Sequence, residues 1–228
     1  MSLLNYFKNT KAVIFDGDGV IVDSTKTAME VFQKASEKKR LKPFSDEKIK
    51  ECWGYSFGQI AKKIWKNVTK EEVEELKQEM ISLLEKTKHP PFDGVINCLN
   101  ELKKAKFPLI LLTNREYDTF HLYEKVEEIC RCFDLILTPD INPTTPNPNP
   151  KKPDPKSFDQ ALDFLAEKNI NKDQILFVGD TLCDLKAAQG ANVKFLGVLT
   201  GACEKKTFQK HGAKYCIECA THLSAFFS

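Results

Sequence analysis

Ala12-Val13-Ile14-Phe15-Asp16-Gly17-Asp18-Gly19-Val20 decides the fold. Its first four residues are apolar without a polar interruption, the pattern of a strand buried on both faces, as in a parallel sheet. Four more short runs follow it: Leu109 to Leu112, Leu135 to Leu137, Ile175 to Val178 and Phe195 to Val198. Between them lie helical spacings, Val95, Leu99 and Leu102 in one stretch and Phe158, Leu162 and Leu165 in another. Strands alternating with amphipathic helices predict an α/β fold, a Rossmann-like doubly wound parallel sheet.

Residues 24–88 break the alternation. No strand pattern occurs there, and Val73, Leu76, Met80, Leu83 and Leu84 share one helical face, with Thr69 and Glu72 spaced as a capping box at its start. Asp23 and Ser24 read as caps of the first helix of this block. About sixty-five residues exceed a crossover connection and predict an inserted α-helical cap domain. The expected division is a core of residues 1–22 and 90–228 and a cap of residues 23–89, with Pro90-Pro91 at the exit. Seven of the eleven prolines (Pro139, Pro143, Pro146, Pro148, Pro150, Pro153 and Pro155) predict a stiff, extended loop.

Composition narrows the function. With 34 basic and 32 acidic residues in 228, the chain lacks the field of a nucleic-acid binder. Neither a signal peptide nor a membrane span is read near the start, so a cytoplasmic protein with reduced thiols is expected. Cys216 and Cys219 have the spacing of half a zinc site, but no second pair matches them, and Cys130 and Cys132 are one residue too close. The four histidines lack ligand spacing and read as surface or helix residues.

Open α/β sheets bind ligands beyond the carboxyl ends of their strands. Four of these ends carry suitable groups: Asp16 and Asp18; Thr113, Asn114 and Arg115; Lys152 beyond the proline-rich loop; and Gly179, Asp180 and Thr181 with Asp184 following. Asp16 and Asp18 project to one side of an extended segment, so one can attack while the other moves protons. Carboxylates this close raise one another's pKa, a conflict that a hard divalent cation resolves. Thr113 and the amides of the glycine-rich turn suit phosphate oxygens, and Lys152 suits the charge of a transferring phosphoryl group. A calcium loop is excluded, because Val20 offers no ligand side chain and Ile21 stands where that loop needs glycine.

Strand–Asp-x-Asp-Gly, strand–Thr-Asn, Lys-Pro-x-Pro and strand–Gly-Asp-Thr-x-x-Asp, in that order, resemble the four motifs of the haloacid dehalogenase superfamily. The helical insertion resembles the cap of its phosphoglycolate phosphatase-like branch, and Pro91-Phe92-Asp93-Gly94-Val95 that branch's return to the core. The resemblance spans roughly residues 11–200. It implies a magnesium-dependent phosphatase acting on a small phosphorylated metabolite, a phosphoglycolate-like acid or a sugar phosphate. Asp16 would be nucleophile and metal ligand, and Asp18 general acid and base with its carbonyl on the metal. Thr113 and Asn114 would contact phosphate, Lys152 would steady phosphate and nucleophile, and Asp180 would complete the metal site with Asp184 behind it. Hydrogen bonding within the next helix's first turn is the competing role for Asp184, and Lys151 the competing lysine. Trp53, Gly54 and Tyr55, in the loop reaching Gln59, and Arg115 would select the leaving group, with ordinary packing the competing role for each aromatic. Gly17 departs from the family, which places a bulky residue there. A β-phosphoglucomutase-like phosphotransferase is the alternative, against which Gly179 speaks. A phospho-acceptor signalling domain is a distant one, being half as long and uncapped. The expected partner is the metabolite alone, with no membrane or nucleic acid, and the expected state is a monomer or homodimer.

Overall fold

A computed structural model of the chain describes residues 3–87 and 89–227. Its sheet has six parallel strands: β1 (Ala12–Phe15), β2 (Leu109–Leu112), β3 (Leu135–Leu137), β4 (Ile175–Gly179), β5 (Lys194–Val198) and β6 (Cys216–Ile217). They lie in the order β3-β2-β1-β4-β5-β6. The chain builds outward from β1 through β2 to β3, then crosses back to place β4 on β1's other side. Ile14 of β1 is therefore in register with Ile110 on one flank and Phe177 on the other. That reversal opens the crevice in which such sheets place their ligands.

Buried strands need apolar partners on both faces, and the two-residue period supplies them. Val13, Phe15, Leu109, Leu111, Leu176 and Val178 enter one core, where they join residues of the helix after the insertion. Ala12, Ile14, Ile110, Leu112, Ile175 and Phe177 enter the other.

The helices are α1 (Leu3–Phe7), α2 (Thr25–Lys38), α3 (Asp46–Cys52), α4 (Phe57–Ile64), α5 (Lys70–Leu84), α6 (Val95–Lys104), α7 (Val126–Arg131), α8 (Asp159–Ala166), α9 (Leu182–Ala191), α10 (Lys205–Lys210) and α11 (Ser224–Phe227). Helices α2 to α5 surround a cluster of their own: Phe32, Ala35, Ile49, Cys52, Ile60 and Leu76. In it Phe32 stacks on Trp65 with ring centroids 5.7 Å apart. Thr69 and Glu72 form the expected capping box on α5.

Several expectations need correction. Strand β6 was not foreseen, because two residues carry no periodicity. Phe158 is not helical but ends a 3-10 turn begun by Pro155, a residue that cannot donate to a helical ladder. On α5 only Leu76 and Leu84 are buried; Met80 is half-buried, packing against the cluster around Phe32 while also lining a cavity. Ser24 occupies the N-cap of α2 without a side-chain cap bond, since its hydroxyl turns to Asp18. His89 is fully buried, with Nε2 at 2.9 Å from the Thr87 hydroxyl. All eight cysteines are free thiols. No helix among the described residues is long and apolar enough to cross a membrane.

Candidate active site

Asp16 follows β1 directly, and its amide donates to the Val178 carbonyl at 2.9 Å, so the ladder between β1 and β4 extends to the carboxylate itself. Thr113 is tied in the same way beyond β2, its amide donating to Leu137 at 3.1 Å. Asp180 follows β4. Rigid strand ends thus bring together residues separated by 97 and 67 positions in sequence.

Lys152 binds the acids to one another. Its ammonium is 2.8 Å from Asp16 Oδ1 and 2.6 Å from Asp184 Oδ1, and the residue is almost wholly buried. Two carboxylates hold it above the usual lysine range despite its burial. Lys151 lies at the cavity edge against Glu116. Asp184 also accepts the Thr181 amide at 2.9 Å and the Thr181 hydroxyl at 2.6 Å, completing a capping box on α9. The carboxylate of Asp184 thus makes the capping bonds weighed for it and also contacts Lys152.

Asp16, Asp180 and Asp184 each offer an oxygen within 4.8 Å of the other two. Asp180 Oδ2 accepts the Ala202 amide at 3.0 Å, whereas its Oδ1 is buried with no hydrogen-bond partner. A buried carboxylate oxygen left in this state is destabilising unless a cation meets it. Burial, followed by the charges of Asp184 and Asp16, pushes the Asp180 carboxyl far above the usual carboxylate range. Burial likewise pushes Asp16 up to about 7, against the opposing charge of Lys152. Oxygen donors, excess negative charge and an unmatched lone pair fit a hard divalent cation.

Asp18 is in a different state. Arg115 Nε and Nη2 donate to its two oxygens, each at 2.8 Å, and the Ser24 hydroxyl donates to Oδ1. Burial alone would raise this carboxyl, but the Arg115 charge and these hydrogen bonds hold it below the usual range. Arg115, expected at the substrate's edge, is thus engaged by Asp18, with its guanidinium 4.8 Å from the Tyr123 ring centroid.

Asn114 also has other partners. Its Nδ2 donates to the carbonyls of Gly54 at 2.7 Å and Lys152 at 2.8 Å, and its Oδ1 accepts the Lys152 amide at 2.8 Å. The side chain ties the insertion to the lysine loop. Gly54 makes the tie feasible: its φ is +88°, and a Cβ there would lie 2.5 Å from the Thr181 hydroxyl.

Ser24, Tyr123, Glu116 and Lys77 were missed from sequence. Tyr123 had one signal, the unusual Gly17: a Cβ at that position would sit 3.2 Å from the Tyr123 hydroxyl, so the tyrosine holds space that a larger residue would need. Lys77 of α5 reaches Glu116 Oε2 at 2.8 Å, and Lys151 reaches Glu116 Oε1 at 3.3 Å. Above all these groups lies a cavity of about 200 Å3, with Asp16, Thr113 and Asp180 on its floor and Trp53, Gly54 and Tyr55 in its wall.

The four strand-end motifs on this sheet define a hydrolase of the haloacid dehalogenase type. The sequence matches the haloacid dehalogenase-like hydrolase family over residues 13–198, most of its length, and the chain belongs to that family. It is a phosphatase within it. It is 22% identical over 196 residues to the N-acetylmuramic acid 6-phosphate phosphatase of Pseudomonas aeruginosa, covering 84% of this chain and 82% of that protein. Among solved structures, a hydrolase from Pseudomonas syringae superposes with a TM-score of 0.79 at 22% identity, covering 95% of this chain and 97% of that one. A predicted phosphoglycolate phosphatase from Haemophilus somnus superposes with a TM-score of 0.73 at 18% identity, covering 96% and 99%. At these identities the superpositions speak for the fold.

Proposed function

We propose that the protein hydrolyses small phosphorylated metabolites with magnesium, through an aspartyl-phosphate on Asp16. The observation that carries this reading is the pairing of Asp16 with the buried, unpartnered oxygen of Asp180 across one crevice. Asp16, Asp180 and the Asp18 carbonyl would hold the ion, with Asp184 supporting them. When bound, magnesium would neutralise the acids and the charge on the phosphate oxygens.

In the first step Asp16 attacks phosphorus, and the bond to the leaving oxygen breaks. Lys152 offsets charge on the transferring group, while the Thr113 hydroxyl and the amides near Gly17 receive its oxygens. Asp18 delivers the proton to the leaving oxygen. In the second step Asp18 takes a proton from water, which attacks the acyl phosphate and regenerates Asp16. As held by Arg115, Asp18 is ionised, the state required for the second step. Donation in the first step requires Arg115 to loosen its hold.

Residues 1–22 and 90–228 act in this reading as the catalytic core and residues 23–89 as a cap that closes over it and excludes water. The substrate panel holds a sugar phosphate and phosphoglycolate, the substrate types that the names of the similar proteins print. The test is phosphate release from that panel. Wild type should turn over with magnesium and stop with excess chelator. Asp16→Asn should lose at least about 10⁴-fold in kcat while keeping its thermal transition. Near-normal release by Asp16→Asn would refute the reading.

A further inference from the structure

The cavity has two unlike halves. Its floor is the polar set already described, whereas Phe32, Phe57, Ile60, Met80, Ile81 and Leu84, all from the insertion, face it from above. Those six side chains offer a ligand no hydrogen bond. Of the polar groups beside them, Glu116 is engaged by Lys77 and Lys151, and the Tyr55 hydroxyl accepts from Lys186 at 3.3 Å. Asn114 is spent on Gly54 and Lys152. Arg115 is spent on Asp18.

A polyol pressed against such a roof would leave hydroxyls without partners, each unmade bond lowering affinity by about tenfold. Hydrocarbon in the same place gains from leaving water. The cavity's 200 Å3 must also house the phosphate, so it suits a body of one ring rather than two. We infer that the leaving group is a compact hydrocarbon, making the substrate an aryl or arylalkyl phosphate monoester rather than a sugar phosphate or a short phosphorylated acid. This rests on the phosphatase reading and names the substrate class of the same site.

The experiment compares kcat/KM for benzyl phosphate, glucose 6-phosphate and phosphoglycolate with magnesium. All three are esters of primary alcohols, so the departing oxygens are comparable. Benzyl phosphate should lead both others by about tenfold or more. Met80→Gln, nearly isosteric and at a half-buried position, should cut the benzyl phosphate value about fivefold while leaving glucose 6-phosphate within about twofold. Ile81→Asn provides the same readout if Met80→Gln lacks a cooperative thermal transition. Equal or better hydrolysis of glucose 6-phosphate or phosphoglycolate would overturn the inference and leave the phosphatase reading standing. So would a common loss on all three esters in the folded variant. Hydrolysis of none of them, nor of para-nitrophenyl phosphate, would overturn both.

Discussion

The floor and the roof of the cavity are built on opposite principles. On the floor four carboxylates face two cations, and nearly every polar atom has a partner: Lys152 is shared by Asp16 and Asp184, Arg115 is clamped on Asp18, and Asp180 Oδ1 stands unpaired. In the roof, apolar side chains of α2, α4 and α5, Phe32 and Ile60 of the insertion's own core among them, border an open space. In the proposed reading the floor meets the charge that every phosphate monoester carries. The roof would meet only what differs between one monoester and the next. Chemistry and selectivity are therefore separable by substitution.

Lys152→Ala tests the floor most severely. It leaves Asp16 and Asp184 buried without their shared cation, a loss of about 3–5 kcal/mol. In activity it should depress every substrate by a common factor on the order of 10²-fold or more, since no leaving group touches it. Reordering of a substrate panel by this variant would erase the distinction between floor and roof.

The raised carboxyls of Asp16 and Asp180 predict how the metal competes with protons. With Asp16 pushed from the ordinary 3.8 up to about 7, the folded protein keeps a proton that the unfolded chain loses between these values. Without metal, this group's contribution to stability is present at low pH and declines as pH rises through that window. A cation must displace the proton, so Asp16 alone should lower magnesium affinity by up to about tenfold per pH unit between pH 7 and pH 5, and a proton on Asp180 would steepen the fall. Titration calorimetry or the magnesium-induced rise in Tm would measure it, and a pH-independent affinity would contradict the assignment.

Asn114→Ala probes the join between the two regions. Removing three hydrogen bonds to Gly54 and Lys152 should lower stability by about 1–3 kcal/mol and kcat/KM by about tenfold. Because the insertion loses its tie, KM should rise more than kcat falls. Should kcat alone suffer, Asn114 serves the phosphate rather than the closure.

The floor was legible in sequence because strand ends deliver their side chains wherever the sheet dictates. Asp16, Thr113 and Asp180 each follow an apolar run, and parallel pairing with β1 then leaves little freedom in their placement. The partners of Asn114 and Arg115 were not legible. Asn114 meets Gly54, sixty positions away, only after the insertion folds down, and Arg115 meets Asp18 across 97 positions of two loops. Ser24 misled for a local reason: a serine before a helix is an ordinary cap, and only the nearby Asp18 draws its hydroxyl away. The apolar stripe of α5 read as one helical face and no more. Periodicity reports which residues share a face, not whether that face meets protein or a cavity.

The central claim is that Asp16 carries the phosphoryl group during turnover. Rapid acid quench of the working enzyme with magnesium and substrate, followed by mass spectrometry of the peptide containing residues 12–22, tests it most directly. The account predicts one phosphoryl group on Asp16, formed within a single turnover, discharged when substrate is exhausted, and absent from Asp16→Asn. A phosphoryl group on any other side chain during that turnover would contradict it.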